Sequence, residues 1–303
     1  MKGMVVRSTG SWYRVRVGQE TYDCRLRGSF RTHGNKQTNP LAVGDRVDFT
    51  MQDDGTGVIS SVDERRNCII RRATKLSKQT HVIASNVDLL CVVATLGFPR
   101  TSTGFIDRLL VTAEAYHIAA CVVLNKTDLY DASLWELHRE VAELYTAAGY
   151  PVVATSARTG SGVEALRERI GSGTVLFSGH SGVGKSALLN AIDPSLSLRV
   201  GDVSLWSMKG QHTTTFAEIF PFGDGFLVDT PGIKEFGMVD FTSEELSHFF
   251  PEMRSRLHEC RFANCTHRHE PQCAVKEAVA NGEIAEERYR NYLGILDQIA
   301  RGE

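Results

Sequence analysis

Residues 174–192 read Thr-Val-Leu-Phe-Ser-Gly179-His-Ser-Gly-Val-Gly184-Lys185-Ser186-Ala187-Leu-Leu-Asn-Ala-Ile. The apolar run 175–177 predicts a buried strand, and the segment 185–192 predicts a helix; between them stands a complete G-x-x-x-x-G-K-[ST]. In such a loop the glycines let backbone N–H groups curl around phosphate oxygens, Lys185 reaches the β and γ phosphates, and the Ser186 hydroxyl ligates Mg²⁺. Gly179, His180, Ser181, Gly182, Val183, Gly184, Lys185, Ser186 and Ala187 are the candidate phosphate-binding residues. A plain Gly-rich turn is the weaker alternative, because a chance match is expected in about one chain in a hundred.

Around this loop the texture is strand, helix, strand, helix. Strand candidates lie at 89–94, 119–124, 151–155, 175–177 and 225–228, with amphipathic segments near 105–117, 133–148, 162–170 and 185–192. That alternation predicts an α/β domain whose parallel sheet is covered on both faces.

A phosphate loop does not choose its base. Asn125-Lys126-Thr127-Asp128, at the end of the 119–124 strand, can. An Asp carboxylate accepts both the ring N–H and the exocyclic amine of guanine, which adenine does not offer in that geometry. Asn125 can bond the base edge, and the Lys126 stem can cover its face. Ser156-Ala157 follows the next strand, where backbone N–H groups could meet the guanine oxygen. Asp229-Thr230-Pro231-Gly232 matches a D-x-x-G turn, in which Asp acts on Mg²⁺ through water and the Gly amide senses the γ phosphate. Upstream, Thr213, Thr214 and Thr215 each offer a hydroxyl to close over Mg²⁺, with Thr214 preferred.

The chain has 303 residues, 42% hydrophobic and 23% charged, with net charge −2. This is an ordinary globular composition, which excludes collagen, coiled coil and wholesale disorder. No apolar run approaches the roughly 18 to 20 residues of a membrane span, and no signal-peptide core follows the N-terminus. A cytoplasmic protein with no membrane partner is expected. The small total hides an asymmetry: residues 1–80 hold fifteen Lys/Arg against eight Asp/Glu, net +7, and the rest nineteen against twenty-eight, net −9. A basic head points to a polyanion.

That head shows short period-2 runs at 13–17, 22–26, 46–49 and 58–62, predicting a small antiparallel barrel of about five strands. Arg14, Arg16, Arg25, Arg27 and Arg31 interleave with Trp12, Tyr13, Tyr22 and Phe30, the mixture oligonucleotide-binding barrels use. Aromatics turned inward and arginines turned to solvent are the competing reading, residue by residue. Beyond Gly237 helical periodicity takes over, with Tyr289, Leu293, Leu296 and Ala300 on one stripe. Three of the seven cysteines, Cys260, Cys265 and Cys273, fall within fourteen residues there, with His267 between them. Three thiolates and an imidazole suit one structural Zn²⁺, although His258 or His269 could substitute on chemistry alone. Cys24, Cys68, Cys91 and Cys121 read as core residues.

These motifs resemble those of a GTPase in rearranged order, with the guanine motifs ahead of the phosphate loop, as in a circular permutation. Barrel, permuted GTPase and cysteine cluster together resemble the bacterial ribosome small-subunit-dependent GTPase A family over essentially the whole chain. The resemblance implies an oligonucleotide-binding barrel at 1–72, a linker at 73–86, a circularly permuted P-loop GTPase domain at 87–237, and a helical zinc-binding domain at 238–303. It selects Cys260, Cys265, His267 and Cys273 as the zinc ligands. It also implies a monomer that hydrolyses GTP to GDP on the 30S subunit late in maturation, binding 16S rRNA and stimulated by the subunit. Ras-like enzymes orient the attacking water with Gln after the D-x-x-G glycine, where this chain has Ile233. Hydrolysis should then be slow alone, with His212 the candidate catalytic substitute that the family supports. An RNA-binding module with nucleotide as a structural ligand is the rival from another class. A nucleotide kinase is disfavoured by residues 125–128.

Overall fold

The computed structural model describes residues 1–9, 11–27, 40–72, 80–198, 218–229 and 242–301. The chain divides into two compact units, one of residues 1–90, 168–178 and 201–239, the other of 91–167, 179–200 and 240–303.

The first unit opens with five strands, β1 (Lys2–Ser8), β2 (Tyr13–Val17), β3 (Glu20–Leu26), β4 (Arg46–Met51) and β5 (Gly57–Val62). Their ring order is β1-β2-β3-β5-β4, closed by β4 back onto β1. A closed ring with an odd number of strands cannot be antiparallel throughout. Here β3 and β5 run parallel, which corrects the purely antiparallel expectation. Val5, Tyr13, Val15, Cys24, Leu41, Val47, Phe49 and Ile59 fill the barrel. Tyr13 thus belongs to the core, whereas Trp12 stays 43% exposed. Strand β1 gave no alternating signal because its register shifts between Val5 and Arg7, and Val5 and Val6 are both buried.

The expected linker is partly structured. β6 (Cys68–Arg72) and β7 (Thr80–Ser85) pair as an antiparallel ribbon, because Val82 and Ala84 are buried alternately along a run that the polar residues before it disguised. Asp45 ties this ribbon to the barrel. Its buried carboxylate accepts from the Ser85 hydroxyl at 2.7 Å, the Ala42 amide at 2.8 Å, and Arg65 Nε and Nη2 at 2.7 Å each. Removing one member of a buried pair leaves the other uncompensated, so Asp45→Ala should cost about 3 kcal/mol in urea unfolding. A loss under about 0.5 kcal/mol would show that the ribbon is held by apolar contacts alone.

The same unit contains β11 (Thr174–Ser178), parallel to β13 (Gly225–Asp229), which pairs antiparallel with β12 (Glu218–Phe222). Strand β12 also meets β1 of the barrel at Glu218 and Arg7.

In the second unit the strand order is β10 (Val152–Ala154), β9 (Ala119–Leu124), then residues 91–94 of β8 (Leu89–Ala94). Strands β9 and β10 are parallel. Residues 91–94 and 121–124 are wholly buried, so both sheet faces are covered and the strands read as continuous apolar runs. The helices are α1 (Thr103–Ala115), capped by the Ser102 hydroxyl, α2 (Ala132–Ala147), capped by Asp131, α3 (Val163–Ile170), which runs into the first unit, and α4 (Lys185–Ile192). Beyond residue 242 come α5 (Pro251–Arg254), α6 (Ala274–Ala280) and α7 (Glu286–Arg301).

The buried stripe of α7 differs from the expected one. Arg288, Tyr292, Ile295 and Leu296 are buried while Ala300 is exposed. An ion-paired arginine carries the buried face, and hydrophobic periodicity does not detect it.

Candidate nucleotide site and metal centre

The expected phosphate loop, 179–187, and both expected base-reading turns, 125–128 and 156–157, lie in the second unit. Gly184 has φ +92° and precedes α4, so the first amides of that helix open onto the loop. A Cβ on Gly184 would come within 2.6 Å of the Asn125 amide nitrogen, and one on Gly179 would collide with the Val93 carbonyl. Glycine is therefore demanded at both ends by close approach. The Lys185 ammonium donates to the carbonyls of Gly179 at 2.7 Å and His180 at 2.8 Å, inside the curl of the loop. Ser181 and Gly182 are exposed at its tip, Val183 is buried beneath it, and Ser186 and Ala187 are half-buried on the first turn of α4.

Asn125 joins the motifs. Its Nδ2 donates to the Val183 carbonyl at 2.9 Å, and its Oδ1 accepts from the Thr155 hydroxyl at 3.1 Å and the Ala157 amide at 3.3 Å. The side chain is buried, so its first task is to hold the phosphate loop and the Ser156-Ala157 turn in register rather than to meet the base alone. Thr127 adds a second tie, its hydroxyl and amide both donating to the Thr155 carbonyl at 3.1 Å. Lys126, at φ +67°, sends its ammonium to the Phe98 carbonyl at 3.1 Å, and its Cε passes close to Gly184. The stem thus lies along the loop, as a base-covering lysine requires.

Asp128 Oδ1 accepts from the Ser156 hydroxyl at 2.6 Å, and Oδ2 pairs with Arg158 Nε at 2.8 Å. The aspartate side chain is 9% exposed and the arginine 74%. Ser156 fixes the carboxylate from inside, while Arg158 meets it from solvent, where an ion pair is worth only about 0 to 1 kcal/mol. Sequence reading passed over Arg158 because nothing in the order Ser-Ala-Arg signals that the turn folds back onto Asp128.

Asp229 ends β13, but its side chain, together with His212, Thr213, Thr214, Thr215 and Gly232, lies outside the described residues.

The cysteine cluster converges. The ligand atoms of Cys260, Cys265, His267 and Cys273 all lie within 4.8 Å of one another. His267 Nδ1 stands 3.6 Å from the Cys260 sulfur and 3.3 Å from that of Cys273, close to the ~3.5 Å N···S edge of a tetrahedron with ~2.3 Å Zn–S and ~2.0 Å Zn–N bonds. Three sulfurs and a nitrogen so placed fit Zn²⁺. Burial pushes the Cys265 thiol up to about 12, so a bound cation is what would let that sulfur ionise at neutral pH. His258 and His269 are exposed and outside the cluster. Glu270, which the sequence did not mark, accepts from the Thr266 amide and hydroxyl at 2.7 Å and from the amides of Arg268 and His269 at 2.9 and 3.0 Å. Burial alone would raise its pKa; these bonds hold it at about 2 and keep the ligand loop shaped. None of the seven cysteines is in a disulfide, and among the described residues no helix is long and apolar enough to cross a membrane.

The RsgA GTPase family model matches residues 62–239, and the RsgA N-terminal domain model residues 2–59. A small ribosomal subunit biogenesis GTPase RsgA from Bacteroides fragilis is 48% identical over the whole chain and 98% of its own length. One from Christiangramia forsetii is 47% identical over 98% of this chain and 96% of its own. Among solved structures, YjeQ from Thermotoga maritima shares 40% identity at a TM-score of 0.82, covering 99% of this chain and 98% of that one. YloQ, described as a circularly permuted GTPase, shares 30% at 0.77, covering 100% and 96%. With guanine motifs ahead of the phosphate loop on one permuted scaffold, the chain belongs to the RsgA GTPase family and is a GTP hydrolase.

Proposed function

We propose that this chain hydrolyses GTP on the small ribosomal subunit, binds 16S rRNA late in subunit maturation, and leaves after hydrolysis. The observation that carries the nucleotide half is the tie from Asn125 to both Val183 and Ala157, which supports a base reader and a phosphate loop in one site. The names of the relatives support the subunit. The net +7 of residues 1–80 and exposed Trp12 beside Arg7 and Arg14 support RNA as the ligand of the barrel.

In this reading Asp128 takes the two guanine N–H groups, Asn125 and the Ser156-Ala157 turn frame the base, and Lys126 covers it. Residues 179–187 wrap the phosphates, with Lys185 moving from the loop carbonyls to the β and γ oxygens. Mg²⁺ arriving with GTP would be held by Ser186, with Thr214 and Asp229 as further candidates, and would neutralise the charge developing on the phosphates. Gly232 would sense the γ phosphate. His212 would orient the water in place of the Gln that Ile233 displaces. One Zn²⁺ on Cys260, Cys265, His267 and Cys273 would serve structure, since four protein ligands leave no open position. The protein acts as a monomer in the cytoplasm.

The deciding experiment measures GTP hydrolysis with and without 30S subunits. The rate should rise at least about tenfold with them; an unchanged rate would leave an RNA-binding module whose nucleotide is a structural ligand. His212→Ala should lower the stimulated kcat by about a hundredfold with GTP affinity preserved. Unaltered stimulated turnover would remove this histidine from the mechanism.

A further inference from the structure

Arg288 is the largest fully buried side chain among the described residues, 1% exposed on α7. Its Nη1 donates to Asp107 of α1 at 2.5 Å, and its Nε and Nη2 fork onto Glu252 at 2.7 and 3.1 Å. The other Asp107 oxygen accepts from Asn291 at 2.7 Å. The guanidinium lies over the Phe250 ring at 4.7 Å. Only a planar, multidentate cation can serve both carboxylates at once. Apolar side chains would hold two helices together at least as well. What a charged triad of this kind can add is one fixed registry of α1 against α7.

That registry reaches the nucleotide loop. Phe105, two residues before Asp107, stacks on the His180 imidazole with ring centroids 3.5 Å apart and planes 25° from parallel. His180 belongs to the phosphate loop, and its carbonyl accepts from Lys185. On the far side, Tyr292 and Tyr289 of α7 donate to the carbonyls of Thr266 and His267 in the metal-ligand loop.

We propose that Arg288 is a positioning residue for the nucleotide site: through Asp107 it sets α1, and through Phe105 it sets the phosphate loop. The C-terminal helix thereby senses nucleotide occupancy through α1. The inference rests on the reading that residues 179–187 bind GTP.

The test uses full-length chain and stopped-flow release of fluorescent GDP. The variant D107N/E252Q/R288M removes all three charges together, so none is left buried and unpaired. It should release GDP at least about tenfold faster than wild type at comparable thermal stability. Phe105→Leu should also accelerate release, and combining the two should give less than the product of the separate effects, because both act through one helix. Release within twofold of wild type from the folded triple variant, or effects that multiply, would overturn the proposal. Should the triple variant fail to fold, hydrogen exchange decides. By reciprocity GDP should slow the amides of residues 286–292 at least about threefold in wild type, and Phe105→Leu should abolish that protection. Unchanged exchange in wild type, or protection that survives Phe105→Leu, counts against it. Wild type that binds no GDP would instead strike the nucleotide reading itself and take this inference with it.

Discussion

Asp128→Asn should weaken GDP and GTP binding about a thousandfold while leaving ATP binding as poor as before, measured by calorimetry with Mg²⁺ present. Two charge-assisted hydrogen bonds are lost at about 1.5 to 3 kcal/mol each, and the new amide turns its own N–H groups toward the donors of guanine. Ser156 would still be held by the remaining oxygen, whereas Arg158 would lose its ionic partner, so the damage stays local to the base. Xanthosine diphosphate presents a carbonyl where guanine presents an amine and should bind this variant better than wild type. A GDP affinity within tenfold of wild type would mean that Asp128 does not read the base.

Cys273→Ser should reduce bound zinc from one ion per chain to none and lower the stability of residues 242–301 by several kcal/mol. Structural zinc contributes on the order of 10 kcal/mol in isolated zinc-finger peptides, and a larger packed domain retains part of its stability without it. The substituted residue precedes α6, while the ligand loop is bonded to α7 through Tyr289 and Tyr292, so loosening the loop frees both helices. Metal analysis and thermal unfolding of the same preparation provide the check. A full equivalent of zinc in the variant would place the ion elsewhere.

The phosphate loop was legible because its chemistry resides in backbone shape, and Gly179 and Gly184 are needed whatever surrounds them. The turns at 125–128 and 156–157 were easy to place for a related reason: they follow strands whose apolar runs are unmistakable. Arg158, Arg288 and Glu270 were not, since each acquires its role from a partner that only folding supplies. Asp107 and Arg288 are 181 residues apart in sequence. A trace of the pair was visible all the same, in an aspartate set among Phe105, Ile106, Leu109 and Leu110 on an otherwise apolar helix. The parallel pair in the barrel followed from ring parity, a closure condition that no local pattern expresses. The ribbon strand β7 was concealed by the polar stretch before it.

Asn125 and Val183, joined by one hydrogen bond, are 58 positions apart, and the asparagine is translated first. During synthesis residues 125–128 and 156–157 therefore emerge before residues 179–187. With the proposed site, a nascent chain of this order should capture GTP only once the later half emerges, whereas in a conventional GTPase the phosphate loop is made first.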